Sequence, residues 1–360
     1  MSYSEDFRRS LLKIISKTIP SVALAGVAVA PGCGILISGD IECHRDLPTC
    51  NSGPASGSKS EKGKISWSWE KPLTYEECKR ICEEKMKSAC GAPGTGYFFV
   101  VAGTSACKET VDDKQNKMYQ CDYAIRKKAC PVAGRRPAGL QSEESLGQSD
   151  QTVAKNITEE ALQEVGSFLA ELAYLEEAAV TAFEYLTKEL EYHNAPEELI
   201  ALSKRAIEEE VEHANLMKML AQSYGFAPVE VKVEPFKIRT LAEMAYDNVK
   251  EGCIRETYGA LMAFWQSKTA QDEAVQAVMG RIAWEESEHA ALSWAIDEWI
   301  RPQLTEQEQQ TCAKLFEESM KGLEKELQFE PSQIMVQHVG YPTLEAANAL
   351  YNEAKSQWLS

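Results

Sequence analysis

The chain has 360 residues, 44% of them hydrophobic, with 38 Lys and Arg against 55 Asp and Glu and a formal net charge of −17. That length has room for two domains and that apolar share supplies a core, which excludes a disordered chain. The acidic balance excludes a nucleic-acid surface, because neutralising phosphates takes Lys and Arg clusters that the C-terminal half does not have.

Residues 1–33 read as a targeting segment. Phe7-Arg8-Arg9-Ser10-Leu11-Leu12-Lys13 precedes a moderately apolar run, Ile14 to Ala30, which is short for a membrane span and is interrupted by Lys17 and Pro20. The pattern resembles a twin-arginine export signal, so the expected location is the periplasm or the cell envelope. Ala30-Pro31-Gly32-Cys33 is an imperfect lipobox, without the usual aliphatic residue three before the cysteine. Cys33 is therefore a lipidation candidate that would attach the protein to a membrane. The bland alternative is a cytoplasmic amphipathic start.

Residues 34–140 read as a small, disulfide-rich α+β domain. Of eleven cysteines, this segment holds Cys43, Cys50, Cys78, Cys82, Cys90, Cys107, Cys121 and Cys130. An even set in an exported, loop-rich segment implies a disulfide framework, whose pairing the sequence cannot choose. Cys78 and Cys82 as a zinc half-site lack the second tight pair that a tetrathiolate needs. They fall on a predicted short helix, 74–88, which Thr74 and Glu77 open with a capping-box pattern. Strands are predicted over 64–69, where Ile65, Trp67 and Trp69 alternate, and over 97–102, an apolar run behind Gly94 and Gly96. Residues 141–157 are polar and read as a linker.

Four long helices are predicted over 158–303. The first opens at Asn156-Ile157-Thr158-Glu159 and breaks at Asn194-Ala195-Pro196; the second runs from Glu197 to Tyr224-Gly225, antiparallel to the first across a tight turn. Phe226–Thr240 contains Pro228 and Pro235. Extended, it spans roughly 50 Å against roughly 37 Å for a 25-residue helix, so it can cross a bundle lengthwise. The third helix, 240–268, and the fourth, 271–300, are again joined tightly. Within 304–360, helices over 305–327 and 342–358 are expected to pack on the bundle or on a partner chain.

The chemistry lies in a duplicated spacing. In Trp284-Glu-Glu-Ser-Glu-His289, Glu286 and His289 stand three apart, on one helix face with Val275, Met279, Ile282, Ser293 and Ile296. Glu210 and His213 repeat this among Leu199, Ala206, Ile207, Met217 and Leu220. Each pair is preceded, 34 and 30 residues earlier, by a Glu on an apolar stripe: Glu176 among Leu169, Leu172, Val180 and Phe183, and Glu256 among Val249, Cys253, Ala260 and Phe264. Inward carboxylates are costly unless paired or bound to metal, and six such groups from four helices match a two-metal carboxylate site. Glu251 rivals Glu256 but lies off the stripe. Glu177, Glu285 and Glu288 read as groups beside the ligands or in solvent. Tyr258, two residues from Glu256, invites a redox role, as does Tyr174 beside Glu176, although core packing explains both. Cys253 is either a soft ligand or a small buried hydrophobe. His44, His193 and His338 lie outside the motif.

With its two Glu…Glu-x-x-His halves, 158–300 resembles the ferritin-like superfamily of carboxylate-bridged dimetal proteins. More narrowly, Leu-Glu-Glu-Ala-Ala-Val-Thr-Ala-Phe (175–183), Glu-Gly-Cys-Ile-Arg-Glu-Thr (251–257) and Gly-Arg-Arg-Pro-Ala-Gly-Leu (134–140) are similar to bacterial ferritin-like domain proteins with a cysteine-containing leader domain. The resemblance implies a mainly α fold, with a ferritin-like four-helix bundle and one long crossover. It implies two iron ions, or manganese, with bridging and terminal Glu and terminal His, and a reaction with dioxygen or peroxide and a small substrate, as in oxidases, peroxidases and oxygenases. Spacing alone implies only metal, and the oxygen-rich ligands suit iron or manganese over zinc or copper(I). Iron binding without catalysis and a metal-stabilised structural or interaction module are the alternatives. Ala178, Ala179, Gly252, Gly259 and Ala260 are expected either to leave room beside the metals, between the first and third helices, or simply to let those helices approach.

Overall fold

The computed structural model describes residues 3–24, 61–68, 77, 81, 97–101, 107–111, 117–127, 134–140, 147–148, 157–328 and 330–358. Among them the chain is mainly helical. It divides into two compact units, one of 34–130 and one of 1–33 with 131–360.

The smaller unit contains an antiparallel sheet of β1 (Glu61–Ser68), β2 (Tyr97–Val101), β3 (Cys107–Val111) and β4 (Lys117–Lys127). The long β4 is central: β1 runs along one side, while β2 and β3 share the other, opposite 123–127 and 117–121. This register sets Cys107 opposite Cys121. The other candidate disulfide residues, Cys43, Cys50, Cys78, Cys82, Cys90 and Cys130, lie outside the described residues, as does Cys33. Of the helix expected over 74–88, only Glu77 and Ile81 are described, and both are helical.

In the larger unit, α1 (Tyr3–Leu24) lies against the later helices and buries Leu11, Ile14, Ile15 and Thr18, the one-face spacing of an amphipathic helix. The first hairpin is α2 (Glu159–Tyr192) and α3 (Glu197–Gln222). Thr158 caps α2 by accepting a hydrogen bond from the Ala161 amide at 3.2 Å, and Asn194, in the left-handed region at φ 55°, makes the turn ahead of Pro196.

The connection from α3 to the next helix runs lengthwise beside α2. The Phe226 ring lies on Gly166, Phe236 stacks on Tyr185 at 4.3 Å, and Arg239 clamps the buried Glu189 with two 2.7 Å bonds, beside His193. On the way, β6 (Phe226–Ala227) pairs with β5 (Gly147–Gln148), and Leu140 bridges Val233. Residues 134–140 therefore sit with the helices.

The second hairpin opens with a Thr240–Glu243 capping box on α4 (Leu241–Asp247). The helix then passes through a π-helical segment, Asn248–Glu256, into α5 (Thr257–Thr269), and a turn leads to α6 (Glu273–Ile300). The sequence predicts one uninterrupted α-helix over 240–268; the π turn is the difference, and it falls on Glu256. The hairpins meet with α3 against α6, around a core of Phe183, Leu186, Leu190, Val249, Leu292 and Ile296. Among the described residues three further helices follow: α7 (Glu306–Glu326), the unforeseen α8 (Gln333–His338) and α9 (Leu344–Trp358).

Candidate metal centre

The six groups singled out by spacing converge between the hairpins. Glu176 comes from α2, Glu210 and His213 from α3, Glu256 from the last position of the π segment, and Glu286 and His289 from α6. All are at most 3% exposed. Ligand atoms of Glu176, Glu210, His213 and Glu286 lie within 4.8 Å of one another, as do those of Glu256, Glu286 and His289.

Two carboxylates join these groups. Glu286 Oε1 is 3.2 Å from His213 Nδ1 and 3.3 Å from His289 Nδ1. Glu210 reaches the same two rings with its separate oxygens, Oε2 at 3.5 Å from His213 Nδ1 and Oε1 at 3.2 Å from His289 Nδ1. Glu176 Oε2 stands 3.9 Å from His213 Nδ1, and Glu256 lies on the His289 side. The ligand atoms fall into two overlapping groups that have Glu286 in common, with Glu210 also near both rings and Glu176 and Glu256 at the ends.

These polar atoms also test whether a metal fits. Both oxygens of Glu210, Glu256 and Glu286, Glu176 Oε2 and both imidazole Nδ1 atoms are buried without a hydrogen-bond partner. Leaving one such atom unmade costs about 1–3 kcal/mol, so a convergent set in one place is expensive unless a cation answers it. Four carboxylates and two imidazoles gathered in two overlapping groups could hold metal.

The outward nitrogens of the two rings are held reciprocally. His213 Nε2 pairs with Glu285 at 2.8 Å, and His289 Nε2 with Glu209 at 2.9 Å. Each orienting Glu directly precedes the inward Glu of the other motif. It is backed by an arginine four residues earlier: Arg205 is 3.1 Å from Glu209 and Arg281 is 3.6 Å from Glu285. Those arginines cross over too, Arg205 to Glu288 and Arg281 to Glu212. The repeat is thus Arg-x-x-x-Glu-Glu-x-Glu-His, at 205–213 and 281–289. An Nε2 fixed by a carboxylate keeps Nδ1 facing the centre, the usual arrangement around metal-binding imidazoles. Glu209 was missed in the sequence, although aligning the two copies exposes it.

Burial drives the Glu176 and Glu256 carboxyls well above their ordinary range, with Glu210 and Glu286 adding to the first and Glu286 to the second. Burial acts the same way on Glu286, but the flanking imidazoles prevail and hold it well below. Burial opposes charge on His213, yet its contacts with Glu210, Glu285 and Glu286 raise it to about 12. His289 is raised against burial by Glu209, Glu210 and Glu286.

The remaining predicted residues separate by position. Glu251 is half-buried and lies 3.8 Å from Arg255, outside the converging set. Tyr258 is fully buried with its hydroxyl unpartnered, and burial pushes that hydroxyl well up. Burial likewise raises the Cys253 thiol, which faces the Ser293 carbonyl at 3.6 Å; a protonated thiol makes a poor ligand. The expected room beside the ligands divides. Gly259 and Ala263, with Leu172, Met279, Ile282 and Gln266, line a cavity of about 20 Å³ against Glu176 and Glu286, enough for one water-sized molecule. Gly252 instead faces the Arg135 guanidinium, and Ala179 faces Gly134.

No family model matches the sequence, and neither the curated proteins nor the solved structures give a match.

Proposed function

We propose that this chain is a dimetal carboxylate protein of ferritin-like, four-helix architecture, holding two iron ions, or manganese, and reacting with dioxygen or peroxide. The observation that carries the reading is the set of unpartnered buried donors on Glu176, Glu210, His213, Glu256, Glu286 and His289. Glu210 and Glu286, which each approach both imidazoles, would help to hold both ions, with Glu176 and His213 completing one group and Glu256 and His289 the other. Redox-active ions bound there would supply electrons to such an oxidant. The chain's own groups hold the charge, with Glu209 and Glu285 orienting the imidazoles and Leu172, Met279 and Ile282 lining the cavity beside Glu176 and Glu286. The cavity supports a reactive site over a sealed one, since a substrate-accessible site keeps an open position. The test is to load the protein anaerobically with ferrous iron and follow its absorbance on mixing with oxygen or peroxide. A charge-transfer band rising within seconds supports an oxidoreductase; a loaded protein inert to both oxidants leaves a structural or iron-binding role.

Export is proposed on Arg8-Arg9 and the apolar run after it, with the cysteines of 34–130 pairing as disulfides after transit. The seat of α1 sets a condition on this: a helix that buries Leu11, Ile14 and Ile15 must leave the larger unit before it can serve as a cleaved signal. N-terminal sequencing of protein from the envelope fraction decides between cleavage and retention.

A further inference from the structure

Residues 134–140 belong to no helix, yet they reach the metal centre. Gly134, in the left-handed region at φ 44°, lies over α2 so closely that a Cβ there would stand 3.1 Å from Ala179 Cβ and 3.7 Å from Glu176 Oε2. From that point Arg135 enters the core and is only 2% exposed. Its Nη2 donates to Asn248 Oδ1 at 2.7 Å and Ser293 Oγ at 3.2 Å, and Nη1 stands 3.8 Å from Asp247. The guanidinium lies against the bare backbone of Gly252, where any Cβ would come within 2.2 Å of Nη2.

Both hydrogen-bonded partners lead to residues of the metal centre. Asn248 is the first residue of the π segment, and Glu256 is the last. Asn248 Nδ2 donates to the Ser293 carbonyl at 2.8 Å, and Ser293 Oγ donates to the His289 carbonyl at 3.0 Å. Phe183 lies between the guanidinium, 5.8 Å from its centroid, and the His289 ring, at 5.0 Å. Arg135 thus ties the start of the π segment to the turn of α6 that carries His289.

A π turn accommodates one extra residue and persists where tertiary contacts hold it. If it relaxed to a regular α-helix, expelling one residue would turn Glu256 about the axis by about 100° relative to the helix before it. We propose that Arg135 is a positioning residue for the Glu256–His289 half of the centre, its guanidinium holding the π turn that presents Glu256. The proposal rests on the dimetal reading above, and it goes beyond that reading by giving the 134–140 strap a role and by making the two metal positions unequal.

The test compares wild type with Arg135→Ala in two ways. In metal-free protein, amide hydrogen exchange over 248–256 should quicken about tenfold or more, while 197–222 stays unchanged. Titrated with Mn(II), the variant should keep one position and weaken the other about tenfold or more, so that the electron paramagnetic resonance of a coupled pair gives way to that of an isolated ion. Millimolar guanidinium should restore the pair. Unchanged exchange overturns the proposal, and so does equal retention or equal loss of both ions. If Arg135→Ala does not fold, Arg135→Lys, which keeps the charge without the two-armed donor, is read by the same outcomes. A wild type that binds no Mn(II) or iron defeats the dimetal reading instead, and the exchange comparison still decides whether Arg135 holds the π turn.

Discussion

Glu210 and Glu286 each approach both imidazoles, whereas Glu176 and Glu256 lie at opposite ends, and that asymmetry predicts unequal substitutions. Glu286→Ala should strip both metal positions, and Glu176→Ala should empty mainly the His213 side, as elemental analysis of the folded variants would read. Equal losses from both would contradict the shared-carboxylate layout. Glu209 and Glu285 act through the rings they orient. Glu209→Ala or Glu285→Ala should weaken metal binding roughly 10- to 100-fold with the fold retained, measured by competition with a chelator. Protons follow from the same contacts. In the metal-free cluster His213 is raised to about 12 and Glu176 and Glu256 are raised as well, so these groups hold protons that ligands must shed. Metal binding should therefore release protons, and affinity should rise with pH and fall as acid competes. Calorimetry in buffers of different ionisation enthalpy gives the number, and a value of zero near neutral pH would contradict the account.

At the scale of the elements, the long helices and the six inward groups were legible because apolar spacing marks buried faces and a duplicated Glu-x-x-His stands out on them, whereas the six-residue α8 was not. The capping residue Thr158 and the break at Asn194-Ala195-Pro196 mark ends that the structure places within a residue or two. The π turn was not legible, since Val249, Cys253, Glu256 and Ala260 keep α-helical spacing; what holds it is Arg135, more than a hundred residues away in sequence. β4 was overlooked although Tyr119, Cys121, Tyr123 and Ile125 alternate, and β3 carries too little apolar signal in five residues to be read alone. The small residues between the first and third helices looked alike in sequence, but the structure gives them different neighbours. Gly252→Leu should dislodge Arg135 and disturb the π turn, whereas Ala263→Leu fills the cavity beside Glu176 and Glu286. Under the reactive reading, Ala263→Leu slows oxidation of the ferrous form while metal content stays near wild type. An undiminished rate in that variant would exclude the cavity as the place where the oxidant arrives.

For the whole molecule, the chain falls into two compact units: residues 34–130 contain the four-stranded sheet, and 1–33 with 131–360 contain the candidate centre. The N-terminal helix belongs with the latter. Burying a side chain such as Leu11, Ile14 or Ile15 is worth about 1.5–3 kcal/mol, so deleting residues 1–24 should lower the melting temperature and expose a dye-binding apolar face, with the metal ligands untouched. An unchanged melting temperature would mean that α1 adds nothing to the folded unit. If the buried carboxylates and imidazoles are metal ligands, the metal content of the chain purified from its native compartment shows it. Close to two iron or manganese ions per chain are expected in wild type and close to none in folded Glu286→Ala; a folded wild type that holds no transition metal, and takes up none when iron or manganese is supplied, has no metal centre at these residues.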